Sequence, residues 1–170
     1  MKKQVRVIVI GFLSFLALIA GKGDLMAEEQ NNKTGFDISF HHIGISVANL
    51  DESIAWYRNM LGFEEVMRMD QGVTEDKMSI GHIRRGNSYI ELFQVEGSKP
   101  LPEYRRDPNA DFGVQGLKHF ALQVSDAKAA VKELKAKGVE IAFGPIDAPG
   151  ICFVFIRDNS GNAFELIEYK

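Results

Sequence analysis

Hydrophobic residues alternate with small or polar residues in two short segments of the chain. The segment FHHIGISV covers residues 40–47, and the segment LKHFALQV covers residues 117–124. In each, a histidine stands five residues before a valine. Successive side chains of a strand point to opposite faces. The pattern therefore predicts two strands that are buried on one face and carry His42 or His119 on the other.

After the first strand, predicted over residues 39–47, the periodicity becomes helical. Asn49 is a candidate helix N-cap with Glu52 three residues later, which is the spacing of a capping box, and Gly62 ends the helix. Three more strands are predicted, over residues 64–69, 77–84 and 88–95. The turn between the last two is predicted at residues 84–87.

The same order of elements recurs from Gly116 onward. A strand over residues 119–124 leads to a helix that is capped by Ser125 or Asp126 and ends at Gly138. The strands that follow are predicted over residues 139–143, 151–156 and 163–169. Residues 144–150 (GPIDAPG) are bounded by glycine and proline, and we expect a loop there that closes over a ligand as a lid.

The recurrence predicts a duplicated βαβββ module. The first module covers residues 36–96 and the second covers residues 116–170, with a linker of proline and charged residues over 97–115. His42 and His119 are 77 residues apart, and the other landmarks keep similar offsets. Duplication explains this better than two unrelated halves. We therefore expect an α+β fold in which both modules form one domain.

The beginning of the chain differs from the rest. A basic start precedes an apolar run over residues 7–20, and a candidate cleavage point follows Ala27. This run is shorter than the roughly 20 residues that a membrane-spanning helix needs. It favours a cleaved signal peptide over residues 1–27, a flexible lead-in over residues 28–35, and a periplasmic or secreted protein. An uncleaved N-terminal membrane anchor is the alternative.

Charge and cysteine content narrow the classes of partner. The formal net charge is −3, and cleavage after Ala27 would remove four basic residues and one acidic residue, which makes it −6. Nucleic-acid binding needs clustered lysine and arginine, so we expect no nucleic-acid partner. We also expect no stable membrane partner. The single cysteine, Cys152, cannot form an internal disulfide and is interpreted as a small apolar strand residue.

Each closing strand carries a glutamate among apolar residues. In NSYIELFQV and NAFELIEY, alternation puts Glu91 and Glu165 on the face opposite the buried residues. A carboxylate in such surroundings is costly unless it is paired or bound to a cation. Together with His42 and His119, the two glutamates predict a six-coordinate site for Ni, Zn, Co, Mn or Fe(II) rather than Ca. The alternative is that all four are solvated strand residues, and their matched positions favour the shared site.

Two further stretches carry a resemblance to a known family. HHIGISVANLDESIAWYRNMLGFE and RDNSGNAFELIE resemble the vicinal oxygen chelate superfamily, which includes glyoxalase I, methylmalonyl-CoA epimerase, fosfomycin-resistance enzymes, extradiol dioxygenases and bleomycin-resistance proteins. The resemblance covers nearly all of residues 36–170. It implies two tandem βαβββ modules that form a curved mixed sheet cup. It also implies one divalent metal ion, with the ligands His42, Glu91, His119 and Glu165.

The presence of all four ligands resembles the glyoxalase I and epimerase branch. This implies a metal-dependent lyase or isomerase, in which the metal polarises the oxygens of a small-molecule substrate and holds an enediolate. A displaced glutamate ligand is the general base, and we expect Glu165 in that role with Glu91 as its partner. A lactoylglutathione lyase-like enzyme is the first hypothesis. An epimerase-like enzyme and a non-catalytic small-molecule-binding protein are the alternatives.

Other features of the sequence leave the substrate and the assembly open. Ser46 and Val95 stand where glutathione-using members of the bacterial type carry arginine and asparagine. His41 is expected on the face opposite His42, and His82 is interpreted as structural. The two modules complete the cup either within one chain or across a homodimer in which each site mixes two chains. Candidate contacts for an anionic substrate, or else solvated surface charges, are Arg84, Arg105 and Arg106.

Overall fold

The computed structural model describes residues 38–70, 77–106 and 108–170 of the chain. The predicted signal peptide and lead-in, residues 1–27 and 28–35, lie outside this part of the chain. In the described residues, no helix has the length and apolar composition to cross a membrane. Both sheets lie in one compact unit, Phe40–Lys170.

The first module has the predicted order of elements. Its elements are β1 (His42–Ser46), α1 (Leu50–Leu61), β2 (Glu64–Met69), β3 (Met78–Arg85) and β4 (Ser88–Val95). The strand order in the sheet is β1-β4-β3-β2, with β1 parallel to β4 and the other neighbours antiparallel. The side chain of Asn49 caps α1 by accepting a hydrogen bond from the backbone N–H of Glu52. Gly62 ends the helix in a left-handed conformation with φ of 68°.

The segment predicted as a linker, residues 97–115, contains ordered structure. It has a 3₁₀ turn over Glu103–Arg105 and a short helix, α2, over Pro108–Asp111. The guanidinium Nε of Arg105 lies 3.4 Å from Oδ1 of Asp111, whose side chain is only 11% exposed. This ion pair holds the two helical pieces together, so the segment is more compact than an open linker.

The second module repeats the first. Its elements are β5 (Ala121–Gln123), α3 (Ala127–Ala136), β6 (Ile141–Ala148), β7 (Ile151–Arg157) and β8 (Ala163–Tyr169). The strand order is β5-β8-β7-β6, again with the first strand parallel to the last. Of the two candidate caps, Asp126 is the one that accepts a hydrogen bond, from the backbone N–H of Ala129. The fold class predicted from the sequence is confirmed by these two mixed sheets.

The loop predicted over residues 144–150 is wrong, and its role as a lid stays a prediction. Most of this segment belongs to β6 and pairs with β7. The register shifts between Phe143 and Ile146, so Gly144 and the proline after it lie in a bulge, where a proline is tolerated. Gly144 has φ of 90°, and a Cβ atom there would lie 2.9 Å from the carbonyl oxygen of Phe153. Glycine and proline here mark a bulge within a strand rather than a loop.

The apolar faces of both sheets line one hydrophobic core. Leu92 of β4 and Leu166 of β8 are both members of it, together with the inner face of α1. The ring of Phe164 in β8 stacks on Tyr57 in α1 with centroids 6.2 Å apart, so the helix of one module packs on the sheet of the other. Cys152 is buried in β7, as predicted. Because the apolar faces share a core, the opposite faces of the two sheets are directed away from each other.

Polar contacts reinforce the interface between the modules. The hydroxyl of Tyr57 donates a hydrogen bond of 3.1 Å to Oδ2 of Asp158, in the turn before β8. Burial raises the pKa of Tyr57 well above its usual value, and the negative charge of Asp158 and this hydrogen bond raise it further. The side-chain amide of Asn162 donates to the backbone carbonyl of Ser46 at 3.1 Å. The turn before β8 therefore binds both α1 and the end of β1.

Candidate metal centre

His42 and Glu91 lie on the same face of the first sheet. In the parallel pair β1 and β4, Gly44 is the register partner of Glu91, and His42 is two residues before Gly44. The Nε2 atom of His42 lies 3.3 Å from Oε2 of Glu91. Gly44 lies where a larger side chain would not fit, because a Cβ atom there would lie 2.9 Å from the ring of Phe93 and 3.7 Å from Oε2 of Glu91.

The second module repeats this arrangement. Ala121 of β5 is the register partner of Glu165 in β8, and His119 is two residues before Ala121. The Nε2 atom of His119 lies 3.3 Å from Oε2 of Glu165, the same distance as in the first module. We name the pair His42 and Glu91 half-site 1, and the pair His119 and Glu165 half-site 2.

The donor atoms in each half-site suit two ligands of one divalent ion. Two donors that each lie about 2.1 Å from a metal are about 3.0–3.4 Å apart at octahedral or tetrahedral bond angles. The observed separation of 3.3 Å falls in this range in both half-sites. The side chains of Glu91 and Glu165 are only 19% and 14% exposed, and partly buried carboxylates need a positive partner. Imidazole nitrogen and carboxylate oxygen fit Ni, Zn, Co, Mn or Fe(II).

The two half-sites do not meet within one chain. They lie on the sheet faces that are directed away from the shared core. Among the residues that the structure describes, no group of three or more His, Cys, Asp or Glu side chains could hold a metal ion. Of the two predicted assemblies, this arrangement is compatible with the one in which each site mixes two chains.

The role predicted for His82 was incomplete. His82 is the register partner of Glu91 in the antiparallel pair β3 and β4, and its Nε2 atom lies 2.8 Å from Oε1 of Glu91. This histidine therefore belongs to the surroundings of half-site 1. In a hairpin with its turn at Gly86 and Asn87, residue 82 pairs with residue 91. The sequence could therefore have predicted the contact between His82 and Glu91.

The predicted orientation of His41 is wrong. Its ring stacks on Tyr89, with centroids 5.1 Å apart, and Tyr89 shares the face of Glu91. The Nδ1 atoms of His41 and His42 are 2.7 Å apart, which is a hydrogen-bond distance. His41 precedes β1, so the alternation of side chains along a strand does not apply to it.

The three candidate anion contacts have different surroundings. Arg84 lies on β3 and donates a hydrogen bond of 3.4 Å to the hydroxyl of Tyr89, so its position is beside half-site 1. Arg105 is paired with Asp111 and also donates to the carbonyl of Leu117 at 3.0 Å. The backbone carbonyl of Arg106 accepts a hydrogen bond from Arg157. Only Arg84 of the three is placed by its contacts near a predicted ligand.

A cavity of about 320 Å³ lies between the modules, at the start of β1, β4 and β5. Its lining contains none of the four predicted ligands. The residues that line it are Phe40, Ile43, Asn87, Ser88, Tyr89, Ile90, Phe120, Ala121 and Leu122. It therefore lies beside the half-sites rather than at the candidate metal centre.

Comparison with known proteins finds a matching family and several relatives. The family model of the glyoxalase/bleomycin resistance protein/dioxygenase superfamily matches residues 39–166. The chain is 29% identical to lactoylglutathione lyase GLX1 of Arabidopsis thaliana over 76% of its own length, but it spans only 44% of that protein. It is 32% identical to mitochondrial methylmalonyl-CoA epimerase of Dictyostelium discoideum, covering 72% of each chain. The solved trypanothione-dependent glyoxalase I of Leishmania major has 25% identity and a TM-score of 0.61, covering 78% of this chain and 87% of that chain.

Proposed function

Because the chain belongs to the glyoxalase/bleomycin resistance protein/dioxygenase superfamily, we propose that it is a metal-dependent enzyme that removes a proton next to a carbonyl. The reaction type is that of a lactoylglutathione lyase, acting on a small-molecule substrate. The observation that carries the proposal is the matched pair of half-sites, each with imidazole and carboxylate 3.3 Å apart. Relatives named lactoylglutathione lyase and methylmalonyl-CoA epimerase support it.

The complete site requires two copies of the chain. Half-site 1 of one copy and half-site 2 of another supply two imidazoles and two carboxylates around one ion. β1 and β5 lie at the edges of their sheets, so each has backbone groups available to a second chain. A two-fold homodimer makes the same contact twice and therefore contains two sites.

The chemistry divides between the ion and the carboxylates. A divalent ion, when bound, polarises the substrate carbonyl and stabilises the negative charge that develops beside it. Glu165 accepts the proton from the neighbouring carbon as general base and returns it to the substrate. His42, Glu91 and His119 would hold the ion. The apolar neighbours of both glutamates limit the access of water, which strengthens these electrostatic interactions.

An epimerase-like reaction is the second candidate. The Dictyostelium relative named methylmalonyl-CoA epimerase is 32% identical and matches this chain over 72% of both lengths. Epimerisation begins with the same removal of a proton next to a carbonyl, and it differs in where the proton is returned. The two candidates therefore share the metal centre and the base, and only the product distinguishes them.

The location proposed for the enzyme is outside the cytoplasm, after removal of residues 1–27. The apolar run over residues 7–20 and the small residue Ala27 support this proposal. N-terminal sequencing of the protein isolated from its native host would give a first residue of Glu28. An intact N-terminus in the membrane fraction would favour the anchored alternative.

The proposed function is tested by metal analysis and proton exchange. We expect purified protein to contain one divalent ion per chain. We also expect it to exchange the substrate proton for deuterium in deuterium oxide, and NMR measures this exchange. The substrates are 2-oxoaldehyde thiol adducts and 2-methyl-branched thioesters. Glu165→Gln should lower the rate of exchange by about 10²-fold to 10⁴-fold. Glu133→Gln, on the exposed face of α3, should leave the rate unchanged. A protein that contains metal and binds the substrate but exchanges no proton would be a binding protein. A purified protein that contains no metal would contradict the proposed site.

A further inference from the structure

The two half-sites differ in the residue that faces each glutamate from the neighbouring strand. In the first module this residue is His82 of β3, the register partner of Glu91. In the second module it is Phe155 of β7, the register partner of Glu165. The histidine and the glutamate of each half-site have kept the same positions, so the difference between His82 and Phe155 is a departure from the duplication.

His82 and His42 contact different oxygens of Glu91. The Nε2 atom of His82 lies 2.8 Å from Oε1, and the Nε2 atom of His42 lies 3.3 Å from Oε2. An ionised carboxylate is only an acceptor, so the ring N–H of His82 donates this hydrogen bond. Because His82 occupies Oε1, the other oxygen of Glu91 remains directed toward His42. The side chain of His82 is 18% exposed, which protects the bond from competing water.

Glu165 has no equivalent partner. The ring of Phe155 meets the ring of His119 edge-on, with centroids 4.8 Å apart, and offers no hydrogen-bond donor. The ring centroids of Phe143 and Phe153 lie 6.4 Å and 6.2 Å from the ring centroid of Phe155, so the surroundings of Phe155 are aromatic. Within the described part of the chain, the side chain of Glu165 contacts His119 and accepts no side-chain hydrogen bond at its other oxygen. Its carboxylate is therefore held by one polar side chain rather than two.

We propose that His82 is a positioning residue that holds Glu91 as a fixed metal ligand, and that Phe155 gives Glu165 no equivalent hold. This inference rests on the proposed function and adds to it a residue that orients one ligand of the metal site. A hydrogen bond to the outer oxygen of a ligating carboxylate fixes its orientation and strengthens metal binding.

The test compares two substitutions of His82 in the full chain. His82→Phe places the residue of the second module at this position and removes the donor. His82→Gln keeps an N–H at about the same reach as Nε2. We expect His82→Phe to weaken the binding of Co²⁺ about 10-fold to 100-fold, and His82→Gln to restore most of the affinity. Affinity is measured by titration of metal-free protein, and the Co²⁺ absorption spectrum reports the ligand geometry.

Thermal unfolding of the metal-free proteins separates positioning from folding. A purely structural role for His82 would lower the unfolding temperature and leave the affinity of folded protein unchanged. Should His82→Phe not fold, His82→Asn, whose amide is too short to reach Glu91, replaces it in the comparison with His82→Gln. If wild type and the variant without the donor, His82→Phe or His82→Asn, bind Co²⁺ with equal affinity, the role of His82 is wrong and the proposed function still stands. Wild-type protein that binds no Co²⁺ would overturn the proposed function together with it.

Discussion

Tyr57 of α1 donates a hydrogen bond of 3.1 Å to Asp158, although the two residues belong to different modules. The contact is buried, and the stacked rings of Tyr57 and Phe164 lie beside it. The modules therefore associate through their apolar faces. This association leaves the two His–Glu half-sites on the sheet faces that point away from the shared core, which is why the proposed metal site takes one half-site from each of two chains.

Removing the hydroxyl of Tyr57 should destabilise the protein moderately. Asp158 keeps another donor, because the amide of Asn162 lies 2.9 Å from the same oxygen. We therefore expect Tyr57→Phe to cost about 0.5–1.5 kcal/mol, measured by urea denaturation. The matched control is Tyr89→Phe, whose hydroxyl accepts only a 3.4 Å hydrogen bond from the exposed Arg84. Equal losses in the two variants would contradict a special role for the buried contact.

The same tyrosine predicts a loss of stability at alkaline pH. Burial raises the pKa of Tyr57 in the folded protein above its usual value of 10.0. Its contribution to stability is therefore complete below about pH 10, where the unfolded chain still holds the proton, and it is lost as the pH rises toward the folded pKa. We expect the unfolding free energy to fall more steeply above pH 10 in wild type than in Tyr57→Phe. Parallel curves for the two proteins would count against this assignment.

The two glutamates should differ in their effects on metal and turnover. Glu165→Gln removes the proposed base, and we expect proton exchange to fall by about 10²-fold to 10⁴-fold while the metal is retained. Glu91→Gln removes the anionic ligand that His82 orients, so its main effect should be weaker metal binding. Metal content and exchange rate are measured on the same preparations. The reverse pattern would assign the base to Glu91.

Local patterns were sufficient to predict most of the strands. The bounds predicted for β2, β4 and β8 are those observed, because alternation and turn residues act over a few positions. The faces were also predicted correctly: Ile90 and Leu92 are buried, while Glu91 lies on the other side of the sheet. These features depend on strand geometry alone, which the amino-acid pattern specifies.

The errors arose where the pairing or packing of one element on another decides the structure. The bulge at Gly144 depends on pairing with β7, so composition alone suggested a loop. The pairing of His82 with Glu91 depends on the register of the hairpin. The turn was predicted at residues 84–87 but lies at residues 86–87, and this difference hid the pairing. The directions of the two half-sites depend on how α1 packs on β8, and no local pattern contains that information.

A mixing experiment tests whether one metal centre is built from two chains. One variant, His42→Ala with Glu91→Gln, lacks half-site 1, and the other, His119→Ala with Glu165→Gln, lacks half-site 2. Each alone should bind no divalent ion tightly. After co-refolding in equal amounts, random pairing puts one intact site in each mixed dimer, so the mixture should bind about one quarter as much metal per chain as wild type. A mixture that binds none, beside a wild-type protein that binds its full complement, would contradict the shared site.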